Sequence, residues 1–214
     1  MVGLGNLNVT PDALGPKVIS YVDITRHLLE YMPQYVDKDT RPVSAIAPGV
    51  LGTTGLETCE ILKGIIGNVQ IKLIIAIDAL ATRNMSRISN TIQLSDTGIY
   101  PGAGVENKRK EITKETLGIP VIAIGVPTVV DVATIASDSI DIFVNKMNNE
   151  IKEDEFNEKY SEFFNNLINE DKYELIKEAL IPEDYNFIVT PREIDEIVGN
   201  MAKIVANGIN ASLQ

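Results

Sequence analysis

Two aspartates, Asp12 and Asp78, are the residues whose type and placement best fit catalysis. Each follows a stretch typical of the end of a strand, and the carboxyl ends of parallel strands share one edge of a sheet. Two carboxyl groups in one site do not both ionise easily, so one of them keeps a proton near neutral pH. Such a pair supplies a base that activates water and an acid that protonates a leaving amine. The alternative is structural: Asp78 caps a following short helix, and Asp12 complements the dipole of a first helical turn.

The elements expected to position these aspartates are two strands and one helix start. The apolar run Leu73–Ile77 predicts a strand that is buried on both faces of a parallel sheet and ends at Asp78. Met1–Leu4 predicts the close of another strand, and a glycine-rich turn follows it. The tripeptide Thr10-Pro11-Asp12 then predicts a helix, with the threonine as N-cap and the proline in the first helical position.

The rest of the chain alternates between strand and helix patterns. Further strands are predicted at 43–47, 91–94, 120–126 and 187–189, and further helices at 54–66, 129–147 and from Thr190 onward. This alternation predicts a single α/β domain over residues 1–214, with helices on both faces of a mostly parallel or mixed central sheet in three layers. The acidic stretch at about 148–183 is expected to form a helical excursion. Because a strand needs about five residues, we also expect a segment before Met1.

The composition argues against several classes of protein. The net charge is −11 and no dense block of Lys and Arg occurs, so we expect no nucleic-acid partner. No apolar run approaches the ~20 residues of a membrane helix. A single cysteine, Cys59, excludes an internal disulfide, and a single histidine, His27, argues against a zinc site. Without a P-loop or a complete dinucleotide fingerprint, the sequence predicts no cofactor and no metal.

Other polar residues are weaker candidates. Asp96, in a Ser-Asp-Thr-Gly sequence, and Asn6, in the first glycine-rich turn, are expected to line a substrate site. A loop aspartate more often forms an Asx-turn. The basic run at 108–110 could bind an acidic substrate side chain, although a solvated surface is its commoner role.

Several longer motifs resemble one protein family. They are GLGN at 3–6, TPDALGP at 10–16, APGV at 47–50, IAIDALA at 75–81, SDTGI at 95–99, PG at 101–102, NKRKE at 107–111, GIPVIAIGVPTVVD at 118–131 and VTPREID at 189–195. In this order they resemble the germination proteases of endospore-forming bacteria, over nearly the whole chain except the acidic stretch at 148–183.

The resemblance implies an atypical aspartic endopeptidase whose proposed catalytic residues fall on Asp12 and Asp78. It further implies small acid-soluble spore proteins as the substrate, synthesis as a zymogen, a homotetramer, and a cytoplasmic location in the forespore or spore core. The fold would be shared with hydrogenase maturation endopeptidases, which complete a nickel site with a histidine. No histidine follows Asp78 in this sequence. The rival hypotheses are a non-catalytic module, as an inert truncated fragment, whose acidic cleft binds a peptide or a cation, and a metal-binding endopeptidase of the maturation type.

Overall fold

The computed structural model describes residues 1–102, 109–150, 171–180 and 187–213. The strands within these ranges are β1 (Val2–Gly3), β2 (Ile74–Thr82), β3 (Gln93–Ser95), β4 (Val121–Asp131) and β5 (Ile188–Val189). They form an open sheet in the order β1–β2–β4–β3, and β5 also pairs with β4. The β1–β2 and β2–β4 pairs are parallel, whereas β3 and β5 run antiparallel to β4. The sheet is therefore mixed, as expected.

Helices cover both faces of this sheet. They are α1 (Leu14–Ile19), α2 (Arg26–Tyr31), α3 (Leu51–Thr54), α4 (Thr58–Asn68), α5 (Lys114–Leu117), α6 (Val132–Glu150), α7 (Asp171–Leu180) and α8 (Ile194–Leu213), with short 3-10 helices at Thr10–Asp12, Pro33–Tyr35 and Met85–Arg87. Successive residues of β2 point to opposite faces. Ile77 accordingly packs in a core with α1 and α8, while Ala76 packs in a second core with α4 and α5. The α/β class with helices on both faces is confirmed.

The two central strands are longer than predicted. β2 does not end at Asp78, because the next four residues continue to pair with β4 as far as the Thr82–Val130 pair. β4 likewise continues through Asp131, so α6 begins at Val132 rather than near Thr128. The short helix expected after Asp78 is therefore absent, and a capping role for Asp78 at that helix is wrong.

The helix starts also differ from the prediction. Thr10 opens only a 3-10 turn and lies inside it, because the N-cap is Val9, and its hydroxyl donates to Asp195 Oδ1 at 2.9 Å. The expected helix from Thr54 is divided at Gly55, which has a φ of 71°, and α4 begins after Glu57 instead. The strand expected at 43–47 is reduced to a single bridge between Val2 and Ile46. Of the acidic excursion, Asp171–Leu180 is helical and 151–170 lie outside the described residues.

One glycine allows α1 to approach the sheet closely. A Cβ on Gly15 would lie 2.3 Å from the carbonyl oxygen of Leu4 and 2.6 Å from that of Ile77. Both atoms belong to the backbone and cannot rotate away. Only a residue without a side chain fits here, so Gly15 sets the distance between α1 and the backbone at Leu4, directly after β1, and at Ile77, in the middle of β2.

We expect Gly15→Ala to lower the free energy of unfolding by at least about 2 kcal/mol, because the added methyl group overlaps backbone atoms. Gly199→Ala is the matched control. Gly199 also lies in a helix, but a Cβ there meets nothing within 4 Å, so alanine should stabilise by roughly 0.5–1 kcal/mol. Urea denaturation of both variants tests this, and equal effects would contradict the close packing of α1.

Candidate active site

Asp78 lies in the middle of a buried strand rather than at its end. It is 7% exposed. The neighbouring strand on one side, β1, pairs with β2 only as far as Ile77, so Asp78 has no pairing partner in β1. Its partner on the other side is Gly125 of β4, which has no side chain. The side chain of Asp78 thus lies beside the point where β1 has stopped, and the side chain of Leu80 packs over Gly125.

Asp12 reaches this position from the turn between β1 and α1. The chain leaves β1 through Gly5, whose φ of 108° is left-handed, and a Cβ there would lie 2.0 Å from the carbonyl oxygen of Asp12. Glycine is therefore required at this position. The 3-10 turn that follows ends at Asp12, and the backbone N–H of Asn6 donates to Asp12 Oδ2 at 2.7 Å. The carboxylate of Asp12 is therefore held by the backbone of the loop that precedes the turn.

The two carboxyl groups influence each other electrostatically. Burial, as the larger cause, and the negative charge of Asp12 together raise the pKa of Asp78 to about 8, although the N–H of Ala79, which donates to Asp78 Oδ1 at 2.9 Å, acts in the opposite direction. Burial also raises the pKa of Asp12, but the hydrogen bond from Asn6 counteracts that effect. At neutral pH the site therefore holds one proton on Asp78 beside a more easily ionised Asp12.

Both aspartates line one cleft of about 710 Å³. Its walls come from the loop after β1, the start of α3, the second half of β2, the segment 98–102, and the end of β4. Most of these residues are apolar, and the charged ones among the described residues, besides the two aspartates, are Glu57, Arg109 and Lys110. A mostly apolar cleft with few convergent polar groups and a shifted pKa is typical of an active site.

The other candidates from the sequence are distributed differently. Asn6 contributes its backbone N–H to Asp12, while its side-chain oxygen accepts from the N–H of Asn8 at 3.0 Å. Asp96 is exposed and is not among the cleft residues. In the basic run, Lys110 forms an ion pair with Glu60 at 2.6 Å on the surface, and Arg109 lines the cleft. Position 108 lies outside the described residues.

Thr128 is a site residue that the sequence did not reveal. Its hydroxyl donates to the carbonyl oxygen of Pro11 at 2.8 Å, directly before Asp12. The two residues are far apart in sequence, so no local pattern could have indicated the contact. Glu57 was also missed, because its position suggested only a role at a helix start.

Within the part of the chain that the structure describes, no group of three or more His, Cys, Asp or Glu side chains could hold a metal ion. Among the same residues, no helix is both long and apolar enough to cross a membrane.

The fold and the site define an α/β protein with a coupled pair of aspartates in a cleft at the edge of the sheet. The chain belongs to the germination protease family, whose model matches residues 1–164 and 157–214.

Similar curated proteins carry the same family name. The chain is 52% identical over 214 residues to the germination protease of Clostridium acetobutylicum, covering 100% of this chain and 64% of that relative. It is 52% identical to the one of Caldanaerobacter subterraneus, of which it covers 65%. It is 48% identical over 241 residues to that of Bacillus cereus, of which it covers 66%. The chain thus spans slightly less than two thirds of the length of these relatives.

Asp78→Asn should change how stability depends on pH. A carboxyl group with a higher pKa in the folded than in the unfolded state binds its proton more tightly when folded. The free energy of unfolding therefore falls as the pH rises from the ordinary value near 3.8 to about 8. The variant lacks this loss, and we expect it to be more stable than the parent by roughly 1–4 kcal/mol at pH 8 and similar to it at pH 4.

Chemical denaturation across this pH range measures the effect. The control is Asp39→Asn, which removes the same charge from an exposed loop and should follow the parent at every pH. If Asp78→Asn and Asp39→Asn gave the same pH dependence, Asp78 would not be a buried protonated group.

Proposed function

We propose that this protein is an endopeptidase of spore germination that hydrolyses peptide bonds with Asp12 and Asp78. The observation that carries the proposal is the coupling of two carboxyl groups in one cleft, with the pKa of the more buried one raised to about 8. Membership of the germination protease family supports the protease activity in this proposal.

The surroundings of each aspartate suggest its role. Asp12 is less buried and accepts an N–H hydrogen bond that favours its ionised form, so it acts as the base. Asp78 keeps its proton at neutral pH and acts as the acid. A water molecule gives a proton to Asp12 as its oxygen bonds to the peptide carbonyl carbon, and Asp78 gives its proton to the carbonyl oxygen.

The second step restores both groups. The bond between the tetrahedral carbon and the nitrogen breaks, the leaving amine takes the proton from Asp12, and a hydroxyl of the tetrahedral carbon returns a proton to Asp78. A carboxylic acid and an amine are formed, and the pair ends in its starting protonation state. In this mechanism the two carboxyl groups are the protein groups that exchange protons with water and with the peptide.

We further propose small acid-soluble spore proteins as the substrate, on the basis of the resemblance described above. A cleft of this size can hold an extended peptide, and Arg109 provides a cation in its wall for an acidic side chain. Asn6 and Asp96 stay predictions as substrate contacts. Synthesis as a zymogen, a homotetramer and a cytoplasmic location in the forespore or spore core are part of the same proposal.

Asp12→Asn and Asp78→Asn should each lower kcat/KM for cleavage of a purified small acid-soluble spore protein by at least roughly 10³-fold, because either change removes one partner of the proton exchange. Asp39→Asn should cleave like the parent. Cleavage by the parent should also decline above about pH 8, where Asp78 loses its proton. The measurement is the initial rate of substrate loss, resolved by mass spectrometry, between pH 5 and pH 10.

The same substitutions should be made in the full-length relative of Clostridium acetobutylicum at the matching positions, so that the result does not depend on the activity of the shorter chain. Full cleavage by either variant would refute the two-aspartate mechanism. If neither aspartate affected hydrolysis in either protein, the non-catalytic module that binds a peptide or cation would be the better reading of the cleft.

A further inference from the structure

The turn that carries Asp12 is held from outside by two side-chain hydrogen bonds. The hydroxyl of Thr10 donates to Asp195 Oδ1 at 2.9 Å, and both groups are exposed. The hydroxyl of Thr128 donates to the carbonyl oxygen of Pro11 at 2.8 Å, and Thr128 is only 2% exposed. A hydrogen bond shielded from water is costlier to lose than an exposed one. The contact from Thr128 is therefore the stronger of the two.

A β-bulge brings Thr128 to this position. Leu80 of β2 pairs with Pro127 of β4, but the next residue, Ala81, pairs with Val129. Thr128 is therefore the extra residue on β4. Bulges redirect a side chain and often occur beside active sites. The carbonyl oxygen of Thr128 is also satisfied, because it accepts from the hydroxyl of Thr190 at 3.2 Å.

Pro11 is well suited to receive this contact. Its carbonyl group lies immediately before Asp12, and the proline ring restricts the backbone of the turn. A shift of the Pro11 carbonyl therefore moves the Asp12 carboxylate directly. The only rigid attachment of this carbonyl to the sheet, among the hydrogen bonds of the described residues, is the one from Thr128.

We propose that Thr128 is a positioning residue that fixes Asp12 against Asp78 through the carbonyl of Pro11. The expected effect of Thr128 on the rate of cleavage rests on the proposed function. Its effect on the distance between the two carboxyl groups does not. Without the hydroxyl, the turn moves away from β4 and Asp12 lies, on average, farther from Asp78. Misplacing a catalytic group by about 1 Å costs up to roughly 10²-fold in rate.

Three variants separate positioning from mere stability. Thr128→Val keeps the shape and removes the hydroxyl, while Thr128→Ser keeps the hydroxyl. Thr134→Val is the matched control: Thr134 is also 2% exposed, and its hydroxyl donates to Asp131 Oδ2 at 3.0 Å, away from the turn. Both valine variants lose one buried hydrogen bond, so both should lose similar stability.

The first readout is the titration of Asp78, followed by NMR of its carboxyl carbon. Thr128→Val should lower the pKa of Asp78, because the charge of Asp12 recedes from it. Glu57, Arg109 and Lys110 also line the cleft, and they are unchanged in every variant. Thr128→Ser should restore the parent pKa, and Thr134→Val should leave it unaltered. An unchanged pKa in folded Thr128→Val would overturn the proposal.

The second readout is cleavage of the spore protein in the full-length relative with the matching substitutions. The Thr128→Val change should lower kcat by roughly tenfold or more with a smaller effect on KM, and serine should restore most of the rate. Equal losses in kcat for Thr128→Val and Thr134→Val would also overturn the proposal. Failure of the proposed function would be seen separately, as full activity of the Asp78→Asn variant, whatever the titration shows.

Discussion

The structure depends on one electrostatic constraint, which is a carboxyl group inside the central parallel strand. Asp78 is buried within β2, between the neighbouring strands and helices, where an ionised carboxylate without a nearby cation is energetically costly. The described residues around it provide an N–H donor and a second carboxylate rather than a positive charge. The group therefore keeps a proton, and a buried protonated aspartate in the wall of a cleft can act as a proton donor.

The backbone around the pair is shaped to make this possible. β1 ends one residue before Asp78, and Gly125 lies opposite it on β4, where the side chain of Leu80 occupies the space that a Cβ would need. Gly5 and Gly15 let the turn and α1 approach to distances that any side chain would prevent. These glycines therefore affect the site sterically, because they allow the segment that carries Asp12 to pack close to the sheet.

Much of this arrangement could be predicted from the sequence, and the failures have physical causes. The α/β class followed from alternating patterns. The expectation that Asp12 and Asp78 both follow strand ends was wrong for Asp78, which lies within β2, although the two aspartates do line one cleft. The end of β2 was misplaced because the segment 79–82 is rich in alanine, which favours helix locally, yet its pairing with β4 overrides that preference. Thr10 was assigned as a helix cap, but its hydroxyl is used by Asp195.

The role of Thr128 could not be predicted from the sequence, because it depends on a β-bulge and on a hydrogen bond to Pro11, which lies 117 residues away in the sequence. Its neighbours connect it further, since Thr190 donates to Thr128 and Asp195 accepts from Thr10. One aspartate is thus fixed by its own strand, whereas the other is fixed by residues from the end of β4 and the start of α8. The environment of Asp78 comes from β2 and its pairing with β4. The position of Asp12 depends in part on α8, the last described helix of the chain, through the hydrogen bond between Thr10 and Asp195.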